Sequence, residues 1–382
     1  MKKVKNLIKY ILFLITDYLA KKYSKIEKNN LLLIRLDAIG DYILFRNFIK
    51  ILKKSKRYKD YNITLVGNIA WKSIAKELDS KYIDNFIWID RGNFEKNFVY
   101  RYKKLKEISS KGYDIVINPT YSRCFFADDS IVKVVNSIEK IGSIGDLSNI
   151  KKWQKNISDN YYTKLLPAKN EIMFEFYRDK EFFECLLGEK IDIKKPFIKL
   201  KPKKLDFNLP NNYAILFIGA STSFRKWNIK NFVEVGKYLK NKYGYEIVLC
   251  GGPGDLKDAD EFSKFTDYSY IDLVGKTSLI DFMYVIYNGN LMIANETSAP
   301  HFAVALERTN VFVISNGNHF GRFTPYPKEM FSSYYPIYHP EIEKNLEDYK
   351  KLSNRYGYGS RLNINKISVF KVISKIDEVL NK

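Results

Sequence analysis

The chain has 382 residues, 46% of them hydrophobic, which is enough to bury the cores of two medium α/β domains. A formal net charge of +21 suits anionic partners such as nucleic acid, an acidic membrane surface or phosphorylated glycans, although lysines spread along the whole chain also fit ordinary solvated surfaces. The cysteines, Cys124, Cys185 and Cys250, are too few and too scattered for a disulfide framework or a zinc site, so we expect a reducing, cytoplasmic location.

The first 30 residues predict a basic amphipathic helix. Apolar residues recur there at helical spacing: Val4, Leu7, Ile8, Ile11, Leu12, Ile15 and Leu19. Lysines surround them at positions 2, 3, 5, 9, 21 and 22. The uninterrupted apolar stretch, residues 10–15, is too short to span a bilayer, and no small-residue cleavage site of a secretory signal follows. The pattern is typical of a helix on an anionic membrane surface, and the alternative is a helix packed against its own domain.

Residues 31–41, LLLIRLDAIGD, predict a buried parallel strand that ends in a tight turn. Because α/β folds bind ligands beyond the carboxyl ends of such strands, Asp41 should lie at the start of the next helix and face the ligand crevice. A carboxylate there is a candidate catalytic base. Asp37 lies in the same loop and could either assist in binding an acceptor or form the turn.

Strand-like and helix-like segments alternate beyond residue 30, which is the pattern of parallel sheets covered by helices. The strands of the first series are LLLIRL, NITLVG, FIWID and YDIVIN, and the helices between them are residues 42–54, 70–78 and 94–109. Arg123 follows the last of these strands and could meet an acidic glycan or be an ordinary surface arginine. The neighbouring pair Asp128-Asp129 is better suited to the N-cap of a helix than to holding a metal ion.

The Lys/Pro-rich stretch 193–210 predicts an interdomain linker. A second series of strands follows it: YAILFIGA, YEIVLCGG, LMIANE and NVFVIS. Residues 335–360 are aromatic and polar with little periodicity, and residues 367–380 predict a final amphipathic helix.

The loop GASTSFRKW, residues 219–227, joins the first of these strands to a predicted helix. Its backbone N–H groups, the hydroxyls of Ser221 and Thr222 and the cations of Arg225 and Lys226 suit a diphosphate, whose charge they could stabilise without a metal. The same composition is also typical of an ordinary solvated turn.

Two further strand ends carry polar residues. In GGPGD, residues 251–255, glycines permit close backbone approach and Asp255 could accept hydrogen bonds from ribose, although no intact dinucleotide fingerprint is present. The junction ANETSAPHFAVAL, residues 294–306, places four polar residues near a helix start: Glu296, Thr297, Ser298 and His301. The threonine and serine could bind phosphate or cap the helix, and a lone histidine there is usually structural.

In this order, Gly-Asp after the first strand, the RKW loop, GGPGD and NETSAPH resemble the ADP-heptose:lipopolysaccharide heptosyltransferases, glycosyltransferase family 9, over most of residues 31–325. The resemblance implies an α/β fold of the GT-B type, with two facing Rossmann-like domains, the acceptor held mainly by the first and the nucleotide sugar by the second. We therefore expect the following division: a membrane-surface helix at 1–30, an acceptor-side domain at 31–195, a linker at 196–210, a donor-side domain at 211–360 and a helix at 361–382 that packs back on the first domain.

The resemblance also implies roles for single residues. The family's general base corresponds to Asp41, which would deprotonate the acceptor hydroxyl. The family's basic pair before Trp, which meets the donor phosphates, falls on Arg225 and Lys226 in reversed order. Its Asp-Thr-Gly, which lines the nucleotide sugar near a histidine, falls on Glu-Thr-Ser at 296–298 with His301. The longer Glu and the Ser in place of Gly could change how closely the backbone approaches the diphosphate.

The implied reaction is a single displacement with inversion, from a nucleoside-diphosphate sugar such as ADP-heptose to a lipopolysaccharide or lipooligosaccharide core. No cofactor and no metal are expected, and the enzyme would lie on the inner face of the cytoplasmic membrane. The alternatives are another donor, a protein acceptor, or a non-catalytic membrane-attached scaffold on the same fold. The charge also permits nucleic-acid binding, but no RRM, KH or zinc-finger motif is present, so no nucleic-acid partner is expected.

Overall fold

The computed structural model describes residues 2–308 and 310–381, and it describes side chains from residue 8 onward within these ranges. The chain forms two compact units. The first consists of Met1–Asn170 and Phe176–Asp192, and the second of Glu171–Glu175 and Ile193–Lys382. Each unit is built around a parallel sheet, so the predicted α/β class with two Rossmann-like domains is confirmed.

The sheet of the first unit has six parallel strands in the order β3-β2-β1-β4-β5-β6. The strands are β1 Asn30–Arg35, β2 Asn62–Asn68, β3 Asn85–Ile89, β4 Ile115–Asn118, β5 Glu139–Ser143 and β6 Lys164–Leu166. Chain order reverses between β1 and β4, so the carboxyl ends of these two strands border the crevice in which such a sheet binds ligands. β1 is buried from residue 31 to 35, which explains its continuous apolar run.

Helices flank this sheet. They are α1 Lys2–Lys21, α2 Ile39–Phe45, α3 Asn47–Lys54, α4 Lys72–Leu78, α5 Arg91–Phe94, α6 Phe98–Ser110, α7 Asp128–Val134, α8 Lys152–Ser158 and α9 Glu175–Leu187. Apolar side chains of α1, α5, α6 and α7 form a core with the sheet. Strand residues Leu32 and Val116 pack there with Leu105 of α6 and Ile131 of α7. This packing fixes the strand ends that carry the candidate site.

Helix α1 packs on α6 and α7 through a face that the sequence pattern did not single out. Phe13 is buried, and its ring centroid lies 5.4 Å from that of Phe98 and 5.0 Å from that of Phe126. Asp17 and Arg101 form a buried ion pair of 2.8 Å between a carboxylate oxygen and Nη2. Removing one member of such a pair leaves an uncompensated buried charge, so this pair ties α1 to its unit.

The predicted apolar stripe of α1 remains at the surface. Its described members are between 36% and 52% exposed: Ile8, Ile11, Leu12, Ile15 and Leu19. The side chains of Lys2, Lys3, Val4, Lys5 and Leu7, which belong to the same prediction, lie outside the described residues. Among the helices of the described part of the chain, none has the length and apolar composition needed to cross a bilayer. The helix therefore has one face packed on its own unit and a second, apolar face in contact with solvent.

The sheet of the second unit also has six parallel strands, in the order β12-β11-β10-β7-β8-β9. They are β7 Tyr213–Phe217, β8 Glu246–Cys250, β9 Ile271–Asp272, β10 Leu291–Asn295, β11 Asn310–Ser315 and β12 Tyr334–Tyr338. Chain order reverses between β7 and β10, so the loops after these two strands border the ligand crevice of this sheet. The helices are α10 Ile229–Tyr243, α11 Leu256–Phe265, α12 Leu279–Asn288, α13 Ser298–Ala305, α14 Pro340–Glu343, α15 Tyr349–Tyr356 and α16 Val369–Leu380.

The final helix differs from its predicted placement. Val372 and Ile376 of α16 lie in the core of the second unit together with Leu239 of α10. The Tyr238 hydroxyl of α10 donates to Asp377 of α16 at 2.6 Å. The buried face of α16 therefore completes the core of the second unit, contrary to the expectation that it packs back on the first domain. Amphipathic spacing predicts such a helix but not which apolar surface it covers.

Candidate active site

Asp41 lies in the first turn of α2, directly beyond the carboxyl end of β1. Its side chain is partly exposed, whereas residues 42–45 are fully buried. Tyr42 anchors the helix, because its ring stacks on Trp71 with 3.9 Å between the centroids and its hydroxyl donates to Asp79 at 2.8 Å. The fold thus holds a carboxylate at the crevice of the first sheet, where it can act as a proton acceptor.

Asp37, in the loop between β1 and α2, is held on several sides. Its carboxylate lies 3.0 Å from Arg35 Nε and 4.0 Å from Arg91 Nη1. Its backbone carbonyl accepts a hydrogen bond of 3.0 Å from Trp71 Nε1. These contacts fix the loop that leads to Asp41. Of the two roles that the sequence left open, the structure therefore favours formation of the turn over binding of an acceptor.

Arg123 is neither available to an acceptor nor at the surface in this structure, which corrects both interpretations of its position in the sequence. Its side chain is only 1% exposed and is paired with the carboxylates of Asp129, at 3.4 Å, and Asp159. The guanidinium also lies 4.8 Å from the centre of the Tyr162 ring. A buried cation needs such partners, so Arg123 holds the loops after β4 and β5 together from inside.

The pair Asp128-Asp129 lies in the first turn of α7, but Ala127 occupies the N-cap position, which corrects the prediction that the pair caps the helix. Asp128 accepts hydrogen bonds of 3.1 Å from the backbone N–H of Cys124 and from the Asn118 amide. Burial, together with the neighbouring Asp129 carboxylate, raises the pKa of Asp128 to about 7. Within residues 2–308 and 310–381, no group of three or more His, Cys, Asp or Glu side chains is arranged to hold a metal ion.

Arg225 is the central cation of the crevice in the second sheet. It lies in the loop after β7, where its Nε donates to Thr222 Oγ1 at 3.1 Å and its Nη2 donates to Ser221 Oγ. Its Nη1 donates to the backbone carbonyl of Glu296, just beyond β10, at 3.3 Å. The guanidinium therefore connects the loops after β7 and β10, and it is partly exposed. This is a suitable position for binding an anionic group.

Lys226 has a different environment from its neighbour. Its Nζ donates to Asp255 Oδ1 at 2.7 Å and also pairs with Asp258. The other oxygen of Asp255 accepts from the backbone N–H of Gly252 at 2.9 Å. The two carboxylates neutralise Lys226. Asp255, predicted to bind ribose, has one oxygen engaged by Lys226 from the loop after β7 and the other by the backbone of its own loop. Of the predicted cationic pair, the structure thus places Arg225 at the crevice and Lys226 in a local ion-pair cluster.

Glu296 follows β10, and its carboxyl is buried against β11. Its Oε2 accepts a hydrogen bond of 2.6 Å from Ser315 Oγ, at the end of β11. Burial raises the pKa of Glu296 to about 7, although the hydrogen bond from Ser315 and the charge of Arg225 act in the opposite direction. The side chain predicted to line the nucleotide sugar therefore joins two neighbouring strand ends.

The other residues predicted at the start of α13 fall into two groups. Thr297 occupies the N-cap position without a capping hydrogen bond from its side chain, and Ser298 begins the helix, both being partly exposed. Their hydroxyls are thus placed where a phosphate could reach them. His301 is buried, with its Nδ1 2.6 Å from the Tyr326 hydroxyl, and burial lowers its pKa to about 4. Its structural interpretation is therefore favoured over nucleotide binding.

Sequence reasoning missed the loop 316–322, NGNHFGR, which follows β11 at the same edge of the sheet. Asn316 Nδ2 donates to the backbone carbonyl of Phe224 at 3.1 Å, so this loop lies against the loop that carries Arg225. His319 is partly exposed there. The available signal was the position of a Gly- and His-containing segment directly after a buried strand.

The sequence profile of glycosyltransferase family 9 (heptosyltransferase) matches residues 101–330. No curated protein sequence matches the chain significantly. The chain resembles the solved structure of a family 9 glycosyltransferase from Veillonella parvula, at 18% identity and a TM-score of 0.67, over 94% of this chain and 99% of that one.

Two structures from E. coli are similar as well. Heptosyltransferase WaaC with ADP matches at 14% identity and a TM-score of 0.63, over 91% of this chain and 99% of that one. ADP-heptose lps heptosyltransferase II matches at 15% identity and a TM-score of 0.64, over 92% of this chain and 98% of that one. These likenesses establish the fold, and the profile establishes the family. The chain belongs to glycosyltransferase family 9, the heptosyltransferases, and is a glycosyltransferase.

Proposed function

We propose that this glycosyltransferase moves a heptose, or a related sugar, from a nucleoside-diphosphate sugar to a lipopolysaccharide or lipooligosaccharide core, with inversion at the anomeric carbon. The observation that carries the proposal is the position of Asp41 and Arg225, a partly exposed carboxylate and a partly exposed guanidinium, each at the crevice of one of the two sheets. They supply the base and the anion-binding group that a direct displacement needs.

In the proposed reaction, the Asp41 carboxylate accepts the proton of the acceptor hydroxyl. The hydroxyl oxygen forms a bond with the anomeric carbon while the bond from that carbon to the diphosphate breaks. The leaving diphosphate retains the bonding electron pair, and the guanidinium of Arg225 and the hydroxyls of Thr297 and Ser298 stabilise its charge. The displacement is direct, so no covalent intermediate forms.

The proposed donor is ADP-heptose, with a lipid-linked glycan as the acceptor. This rests on the E. coli relatives, one of which was solved with ADP and another of which is an ADP-heptose lps heptosyltransferase. Asp255 is given no role at the ribose in this proposal, because Lys226 and the backbone of Gly252 engage both of its carboxylate oxygens.

A panel of nucleotides tests the proposed donor without an acceptor. We expect ADP to raise the melting temperature of the purified protein more than UDP, GDP, CMP or NAD does, because a ligand at 100 times its Kd stabilises the folded state by about 2.7 kcal/mol. The measurement is a thermal-shift titration with each nucleotide. Greater stabilisation by UDP or GDP would mean that the donor is a UDP- or GDP-sugar instead of ADP-heptose. Stabilisation by NAD alone would contradict a nucleotide-sugar site. No stabilisation by any nucleotide would favour a non-catalytic scaffold on the same fold.

We also propose that the exposed face of α1 binds an anionic membrane surface, where a lipid-linked acceptor lies. This face consists of Ile8, Ile11, Leu12, Ile15, Tyr18 and Leu19, all exposed on one side of the helix. A contiguous exposed patch of six large apolar side chains usually marks a surface that contacts a protein or a membrane. Exposed lysines adjoin it at positions 9, 21 and 22, so the chemistry of the face matches a bilayer with acidic headgroups.

Substitutions on this face test membrane binding. We expect the double change Ile11→Asn and Ile15→Asn to weaken binding to vesicles with acidic lipids by about 10-fold or more, because two half-exposed isoleucines lose their burial in the interface. Both side chains are exposed, so the melting temperature should change little. The measurement is co-sedimentation with vesicles.

The matched control is Phe370→Asn, which removes a side chain that is 78% exposed on α16 of the second unit. It should leave vesicle binding unchanged. Equal binding by the Ile11/Ile15 double variant and the unchanged protein would exclude this face as the membrane contact. A concentration-dependent change in oligomeric state without any effect on vesicles would assign the face to a second copy of the chain.

A further inference from the structure

The loop 316–322 is held firmly against the donor crevice of the second unit. Besides its bond to the loop of Arg225, the Asn316 amide donates to the backbone carbonyl of Leu362 at 2.9 Å. The Asn316 carbonyl in turn accepts from Ser360 Oγ at 2.7 Å. At the start of the loop, Ser315 Oγ accepts from the backbone N–H of Gly317 at 3.0 Å and donates to Glu296. The structure thus ties the position of this loop to the two loops that border the crevice.

His319 has a backbone conformation that is uncommon for residues other than glycine. Its φ is +58°, in the left-handed region, and the glycines at 317 and 321 have φ values of +81° and +82°. Glycine adopts this conformation freely, whereas a residue with a Cβ pays a steric cost. Such a cost persists when the surrounding structure fixes the backbone, and it is frequent at functional sites. The histidine therefore occupies a place where glycine would fit the backbone better.

The imidazole of His319 is oriented by its neighbours. Its Nδ1 lies 3.4 Å from the backbone carbonyl of Gly357, and its ring makes an edge contact with Phe323 at 5.6 Å between the centroids. A carbonyl only accepts hydrogen bonds, so this contact assigns the hydrogen to Nδ1 and leaves the lone pair on Nε2. Burial, with the nearby charges of Arg322 and Arg225, lowers the pKa of His319 to about 4, which keeps the ring neutral.

A neutral imidazole with this tautomer accepts a hydrogen bond from a hydroxyl and offers no hydrogen to a phosphate oxygen. Arg225 occupies the adjacent loop and suits the diphosphate. The group covalently attached to that diphosphate is the sugar to be transferred, and it carries several hydroxyls. The buried carboxyl of Glu296, by contrast, already accepts from Ser315 and supports the base of the loop.

We propose that His319 is a sugar-binding residue of the donor site, whose Nε2 accepts a hydrogen bond from a hydroxyl of the sugar attached to the nucleoside diphosphate. This assignment rests on the proposed function and extends it, because it identifies the loop after β11 as the part of the donor site that selects the sugar. Glu296 then acts as a positioning residue for this loop through Ser315. A site that hydrogen-bonds a hydroxyl discriminates against analogues that lack it.

The test is the variant His319→Gly, studied with ADP and with ADP-heptose as probes. Glycine removes the imidazole and relieves the left-handed backbone, so the melting temperature of the variant should equal or exceed that of the unchanged protein. The Kd for ADP-heptose should rise about 10-fold, which corresponds to one lost hydrogen bond, while the Kd for ADP stays unchanged. Isothermal titration calorimetry gives both constants.

Glu307→Gly is the matched control. Glu307 also has a positive φ, +53°, and an exposed side chain in the same unit, so this variant relieves the same backbone conformation outside the loop. It should bind both probes as the unchanged protein does. Equal Kd values for ADP-heptose in His319→Gly and in the unchanged protein would overturn the proposal, and so would an equal loss of affinity for both probes. Failure of the unchanged protein to bind ADP and ADP-heptose would instead overturn the proposed donor, and the His319 assignment with it.

Discussion

Replacing Asp41 by Asn should lower kcat for sugar transfer by about 10²-fold or more, which is the low end for loss of a positioned general base. Asn fills the same space but cannot accept the proton of the acceptor hydroxyl at neutral pH. The first turn of α2 is partly exposed at this position, and the helix is held by residues 42–45, so the variant should fold normally. Turnover is measured as release of nucleoside diphosphate in the presence of acceptor.

Binding of the donor provides the control for Asp41→Asn. Asp41 belongs to the first unit, whereas the donor is assigned to the second, so the Kd for ADP should be the same in the variant and the unchanged protein. Turnover within a few-fold of normal would remove Asp41 from the role of base. Loss of both turnover and thermal stability would show that its carboxylate supports the fold.

Replacing Arg225 by Ala should weaken binding of the nucleoside diphosphate by about 10²-fold. Hydrogen bonds to charged groups contribute about 1.5–3 kcal/mol each, and a guanidinium can make two of them to one diphosphate. Arg225 connects Ser221, Thr222 and the carbonyl of Glu296, so its loss also loosens the anion site. The measurement is titration of ADP into the purified variant.

Lys226→Ala is the matched comparison, because it removes a neighbouring cation from the same loop. Asp255 and Asp258 already neutralise Lys226, so its removal should weaken ADP binding only a few-fold. A larger loss of affinity for Lys226→Ala than for Arg225→Ala would contradict the assignment of the two side chains and would return the phosphate contact to Lys226.

The strands that the sequence predicted are those with continuous buried apolar runs. LLLIRL and LMIANE became β1 and β10, the central strands of their sheets, and such strands are apolar on both faces. The unpredicted strands are short, polar or interrupted by proline, and they lie toward sheet edges. β5 has the sequence EKIGS, β6 has three residues, β9 has two, and the edge strand β12 has the sequence YYPIY. Their pairing depends on neighbours distant in sequence, which a local pattern does not contain.

The candidate site was predictable as a set of loops but not as a set of contacts. Polar residues after apolar runs indicate strand-to-helix junctions, and this pattern predicted that Asp41 and Arg225 lie in such junctions. Two features could not be predicted, because they depend on residues distant in the sequence. They are the pairing of Lys226 with two carboxylates and the burial of Arg123. His319 was not predicted as a site residue, because the local sequence pattern does not specify its left-handed backbone or its contact with the carbonyl of Gly357.

The most direct test of the proposed function is transfer itself. The purified protein is incubated with ADP-heptose and a heptose-deficient lipopolysaccharide acceptor, and both the ADP released and the anomeric configuration of the product are measured. The proposal predicts that ADP release requires the acceptor and that the product has the inverted configuration. The Asp41→Asn variant should form ADP and product at least about 10²-fold more slowly. Intact nucleotide binding without transfer from any nucleoside-diphosphate sugar, or a product with retained configuration, would contradict it.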